Sequence, residues 1–100
     1  IDDVIFSNGE ITDYLNTIKK DIIIPDNFGG IPVTSIGINA FNESQLTSVS
    51  IPTSVTSIKI QAFASNNLTS IIIPNSVTSI DSAAFAGCRL DSLVIPNSIT

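Results

Sequence analysis

LTSVSIPTSVTSIKIQAFASNN (residues 46–67) is followed at once by LTSIIIPNSVTSIDSAAFAGCR (68–89) and then by LDSLVIPNSIT (90–100). The step between equivalent positions is 22 residues and never slips: Leu46, Leu68 and Leu90; Ile51, Ile73 and Ile95; Pro52, Pro74 and Pro96. Val33, Val55, Val77 and Ile99 keep the same step, as do Ile36, Ile58 and Ile80, and Phe41, Phe63 and Phe85. A fixed period of this size, carried by apolar columns, marks a solenoid in which each unit buries its face against its neighbours.

One unit reads residue by residue. In Leu46–Ile51, Val49 and Ile51 alternate with Ser48 and Ser50, as a half-buried strand requires. Pro52 cannot donate to a ladder, so it ends that strand and fixes a corner. Val55-Thr-Ser-Ile58 is then a second short extended segment, with Val55 and Ile58 inward. Ala62-Phe63 and Ala84-Phe85 fit a single helical or 3₁₀ turn whose Phe plugs the coil. Strands are expected near 46–51, 68–73 and 90–95, paired in parallel about 4.8 Å apart, with the Phe side chains stacked inside. Isoleucine, at 19 of 100 residues, is the residue type that such pleated, half-buried surfaces favour. The expected fold is therefore mostly β: a solenoid of 22-residue parallel-β coils with short helical turns.

The first 30 residues read differently. Phe6–Ile11 makes two short strands around the Asn8-Gly9 turn, and Ile24-Pro25 is the first Ile-Pro corner. Between Pro25 and Val33 the chain carries five residues more than between Pro52 and Val55, including Gly29-Gly30 and Pro32. Seven of the nine acidic residues fall within the first 43 positions, which suits a terminal unit whose outer face meets water. The expected division is a β-hairpin cap over residues 1–30 and repeats over 31–100, the last coil incomplete at Thr100. Two explanations stand for that open end. One is a fragment of a longer protein; the other is a small protein that closes its apolar edge by self-association through residues 77–100.

Composition excludes several function classes. The chain has no histidine and one cysteine, which removes the commonest general base and any intramolecular disulfide or thiolate zinc cluster. A net charge of −5 argues against a nucleic-acid footprint. No apolar run reaches the ~18 residues of a membrane span. No GxSxG elbow, phosphate cradle or calcium loop is present, so no catalytic residue, metal ligand or cofactor is expected. Cys88 reads either as a small buried filler or as a reactive thiol. Asn42-Glu-Ser44 and Asn67-Leu-Thr69 match the glycosylation acceptor pattern, and both also read as turn residues.

The combination LxxVxIPxxVTSIxxxAF, at Leu46–Phe63 and again at Leu68–Phe85, resembles the BspA-type (Treponema pallidum type) leucine-rich repeat. The resemblance covers roughly residues 22–100. Where the general leucine-rich pattern has a capping Asn, this chain has Ser54, Ser76 and Ser98. Members often carry Cys three residues after the Phe, where this chain has Ser44, Asn66 and Cys88. The resemblance implies a non-enzymatic module of a surface or secreted protein. Its implied role is binding another macromolecule, such as a host matrix or plasma protein or a partner on a neighbouring cell. A spacer holding another domain off the cell surface is the alternative. Strand alternation turns Ser48, Ser50, Ser70, Ile72, Ser92 and Val94 outward, opposite Val49, Ile51, Ile71, Ile73, Leu93 and Ile95. In leucine-rich solenoids that outward row lines the concave face, so it is the candidate partner-binding strip. The Ile72 and Val94 pair reads either as a binding anchor or as ordinary surface.

Overall fold

The computed structural model describes residues 4–14, 21–68, 70–81, 83–88 and 92–94, and among them every regular element is a strand. Strand β1 (Val4–Ser7) and β2 (Glu10–Tyr14) form an antiparallel hairpin. Its turn is the Asn8-Gly9 pair, with φ of 52° and 85°, the left-handed conformation that a two-residue hairpin needs. A Cβ at Gly9 would stand 2.8 Å from Thr34 Oγ1, so close packing as well as backbone geometry calls for glycine. The extra residues after Pro25 fold into a second small hairpin, β4 (Asn27–Phe28) against β5 (Ile31–Pro32), which brings Phe28 onto Phe6 at 4.8 Å.

The hairpin feeds directly into the repeats. Strand β2 pairs in parallel with β6 (Ser35–Ile36), which pairs with β8 (Ser57–Ile58), which pairs with β10 (Ser79–Ile80). Ser35, Ser57 and Ser79 align, and so do Ile36, Ile58 and Ile80, so the VTSI columns run straight up one continuous sheet. Thr34 Oγ1 donates to the Gly9 carbonyl, Thr56 Oγ1 to the Thr34 carbonyl, and Thr78 Oγ1 to the Thr56 carbonyl.

The LxxVxI segments behave differently. Strand β3 (Asp21–Ile23) pairs in parallel with β7 (Ser48–Ser50), and β9 (Ser70–Ile72) with β11 (Ser92–Val94). Among the described residues no ladder joins β7 to β9, so the expected continuous stack is two separate pairs. The strands are also shorter than expected. Pro52 and Pro74 each accept a backbone bond from the residue three positions on, Val55 and Val77, so the corner tightens into a turn just past Ser50 and Ile72.

The Phe columns stack as the period requires. Phe41 and Phe63 lie 5.2 Å apart with rings 6° from parallel, Phe63 and Phe85 5.5 Å apart at 4°, and Tyr14 caps the column against Phe41. Phe41 and Phe63 are fully buried, and Phe85 is half-buried in its layer. The segment presenting each Phe is not the helical or 3₁₀ turn expected. Asn39, Gln61 and Ala83 have φ near 58°, 56° and 60°, and Glu43, Ser65 and Gly87 have 56°, 58° and 73°. A left-handed residue on either side of the Phe breaks the right-handed winding of a helix. The result is a chain of β-turns bonded to the next layer, Phe41 N–H to the Ala62 carbonyl and Phe63 N–H to the Ala84 carbonyl, both at 2.8 Å.

Candidate functional site

The two short pairs carry the outward row. Ser48, Ser50 and Ile72 are exposed, while Ile51, Ile71 and Ile73 are buried and Val49 is half-buried, as strand alternation demands. Ser70, Ser92, Leu93 and Val94 hold strand positions, with Ser92 beside Ser70 and Val94 beside Ile72. Ile95 lies outside the described residues.

The row contains one residue that the period hides. Ile23 pairs with Ser50, because the additional residues of the first unit make that step 27 rather than 22. Ile23 is 75% exposed and Ile72 is 73% exposed, the two most exposed large apolar side chains among the described residues. Ile23 thus lies beside Ser50 in one pair, and Ile72 is in register with Val94 in the other. A cleft of about 450 Å³ opens where β7 and β9 fail to pair, lined by Ser48, Val49, Ser50, Ile51, Ile71, Ile72 and Pro74.

Asp21 stands beside Ser48 at the start of the first pair. Thr47 Oγ1 and Ser48 Oγ donate to Asp21 Oδ1 at 2.8 and 2.9 Å, and these two bonds, Thr47 first, hold its carboxyl below the ordinary range. Asp21 is thus a fixed negative charge at one end of the row. Away from the row, on the continuous sheet, Lys59 forms an ion pair with Glu10, whose carboxylate also accepts from Ser35 Oγ at 2.8 Å. The Lys59 bond keeps the Glu10 carboxyl below its usual range; burial opposes this and the Ser35 bond adds to it.

One column that looked minor in the sequence carries polar work. Asn66, 2% exposed, donates Nδ2 to the Phe41 and Phe63 carbonyls at 2.8 Å and accepts from the Leu46 N–H at 2.9 Å. This is the capping work of a ladder asparagine, performed at the Ser44, Asn66, Cys88 column rather than at the Ser54, Ser76, Ser98 column. Cys88 is a free, half-buried thiol whose Sγ lies 3.1 Å from the Phe63 carbonyl, the same oxygen that Asn66 reaches. Of the acceptor-pattern asparagines, Asn67 is exposed and Asn42 half-buried, with Asn42 Nδ2 donating to Asn39 Oδ1.

Parallel pairing at a 22-residue step, stacked Phe rings and a buried bonding asparagine converge on one repeat class. The family model for the BspA type leucine rich repeat region matches residues 12–100 in six copies. The chain belongs to that family. The BspA-type chain is also similar to a solved leucine rich repeat protein of T. pallidum at 20% identity and a TM-score of 0.47. That likeness covers 87% of this chain and 63% of the T. pallidum protein. No curated protein matches. Among the described residues no group of three or more carboxylates or thiols is placed to hold a metal ion, and no helix is long and apolar enough to cross a membrane.

Proposed function

We propose that this BspA-type chain is a protein-binding repeat segment, a solenoid of 22-residue coils behind an N-terminal cap, working on a cell surface or in a secreted protein. Residues 1–30 serve as the cap and 31–100 as the repeats. The partner lies along the outward row of Ser48, Ser50, Ser70, Ile72, Ser92 and Val94, extended at the cap side by Ile23. The observation that carries this reading is the exposure of Ile23 and Ile72, each about three-quarters exposed, Ile72 lining the cleft and Ile23 paired beside Ser50, which lines it too. Apolar side chains exposed in register on otherwise hydroxyl-rich strands lower their free energy by covering one another with a partner. The row offers no Arg or aromatic anchor, so each contact is weak and affinity accumulates over repeats. Chemistry plays no part in this role.

The test replaces Ile23 and Ile72 together with Glu in the full-length protein and measures adhesion to immobilised matrix and plasma proteins. A fall of about tenfold or more, with the fold intact by circular dichroism, is the expected result. Unchanged adhesion in the folded double variant would remove the row from the role and leave the spacer reading. Sedimentation of the same variant separates partner binding from end-to-end contact through residues 77–100, which leaves Ile23 and Ile72 untouched.

A further inference from the structure

Three observations meet between the second and third layers of the stack. In a parallel ladder, alternate residues turn their N–H and C=O to opposite neighbours. Ser50 is turned toward β3, since its carbonyl accepts from the Ile24 N–H at 3.0 Å. Val49 and Ile51 are therefore turned toward β9, and Ile72 toward β7. Yet no ladder joins these strands, and among the described residues no backbone bond links Ile51 to Ile72, where the equivalent Ile24 to Ser50 bond is made one layer earlier. The same step is missing in the side chains. Ser54 Oγ donates to the Asp26 carbonyl, whereas Ser76 Oγ, its counterpart, is buried with no partner. The cleft occupies this same interval.

Both ends of the interval are pinned. The Asn67 N–H donates to the Leu46 carbonyl at 2.9 Å and Asn66 Oδ1 accepts from the Leu46 N–H, closing one end. The Thr78 N–H donates to the Thr56 carbonyl at 2.8 Å, closing the other.

We propose that residues 48–54 and 70–76 form a window that opens locally between two pinned ends, while the VTSI sheet and the Phe column stay closed. Unmade backbone bonds and an unpartnered hydroxyl give the closed window few hydrogen bonds to lose on opening, and solvent satisfies all of these groups. Opening exposes the Ile51 and Ile71 side chains and changes the spacing between the Ile23, Ser50 half of the outward row and its Ile72, Val94 half. This goes beyond the binding role: it makes the row adjustable at one place rather than rigid throughout.

Native-state amide hydrogen exchange by NMR on the intact, unmodified chain tests it, with the equivalent Ile24 and Ile51 amides as the central pair. The Val49 and Ile51 amides should exchange about 100-fold faster than those of Ile24, Lys59 and Asp81, and their rates should barely change with low urea. The Lys59 and Asp81 amides should follow global unfolding, with a steep urea dependence. Protection of Ile51 equal to that of Ile24 would overturn the proposal. So would a common urea dependence for all five amides, because the stack would then open as a whole. The outcome is independent of whether the Ile23, Ile72 row binds a partner.

Discussion

The two faces of the stack are built from equally regular sequence, yet one is a continuous sheet and the other is broken. On the VTSI face each layer repeats the same contacts: Ile36, Ile58 and Ile80 align, and three Thr hydroxyls reach back to the preceding layer. On the LxxVxI face the pairing runs β3 to β7 and β9 to β11, with the cleft between. Regular side-chain columns therefore do not by themselves secure a regular ladder. The first unit reaches β7 through a 27-residue step, while the later units advance by 22 on both faces. The two faces also differ in what anchors them, since buried Phe rings and Asn66 hold one side while exposed isoleucines line the other.

The sharpest way to break the comparison is to truncate one residue on each side. Phe63→Ala removes a fully buried ring stacked on two others and should cost about 3–5 kcal/mol, a large share of the stability of so small a domain. Ile72→Ala, at a side chain 73% exposed, should change stability by no more than about 0.5 kcal/mol. Urea melts of the two variants check the contrast. Similar midpoints for both would show that the LxxVxI face is packed as tightly as the Phe column.

Asn66 gives a smaller effect. Asn66→Leu leaves the Leu46 N–H and the Phe41 carbonyl buried without this partner, while the Phe63 carbonyl keeps Cys88, at a cost of about 2–3 kcal/mol. Asn66→Cys, which copies the residue found one layer later, keeps a donor toward the Phe41 carbonyl, as Cys88 does toward that of Phe63, and should cost less than the Leu variant. Thermal melts that rank the two variants the other way would show that volume rather than hydrogen bonding governs this column.

The smallest effect is the acid dependence of the link between hairpin and repeats. Glu10 has a lowered pKa, chiefly through its bond from Lys59, so its stabilising contribution is complete above the unfolded-state value near 4.5. That contribution is lost as pH falls through the lower folded value. Because Lys59 is 41% exposed, the pair is screened and is worth about 0.5–1 kcal/mol. In Glu10→Gln the neutral-pH stability should fall by that amount, and the loss of stability between pH 5 and pH 3 should be shallower, read from melting temperatures across that range. Asp21 titrates in the same direction and remains in the variant, so some acid dependence persists.

Much of this architecture is legible from columns alone. The Phe stack, the inward Val55 and Ile58, and the exposure of Ser48, Ser50 and Ile72 all follow from a period that forces like onto like. What the period conceals is whatever differs between layers of identical pattern. LTSVSIP and LTSIIIP carry the same inward apolar positions and differ on the outward side only at Ser50 against Ile72, so nothing in them signals that their backbones do not pair. Ile23 escaped because the longer first unit shifts the register against a fixed step. Asn66 escaped because its column holds Ser44, Asn66 and Cys88, which share no class, while the serines of the next column drew the comparison with a capping asparagine. The Ala62-Phe63 and Ala84-Phe85 segments suit a helical turn by composition, and nothing in Gln61 or Ala83 just before them requires a positive φ; the bonds to the next layer impose it.

The threonine column has a further consequence. Thr34, Thr56 and Thr78 each donate to a main-chain carbonyl of the layer below, and Thr34 and Thr56 offer their own carbonyls to the layer above. Each such contact is made by a side chain to backbone, so it is indifferent to which side chains the lower layer carries. A duplicated or deleted cassette of one full period leaves the new junction with the same donor over the same acceptor. Gene-level growth or contraction by whole cassettes is therefore nearly free of structural penalty along this column, whereas a single inserted residue would set every threonine above it over the wrong carbonyl.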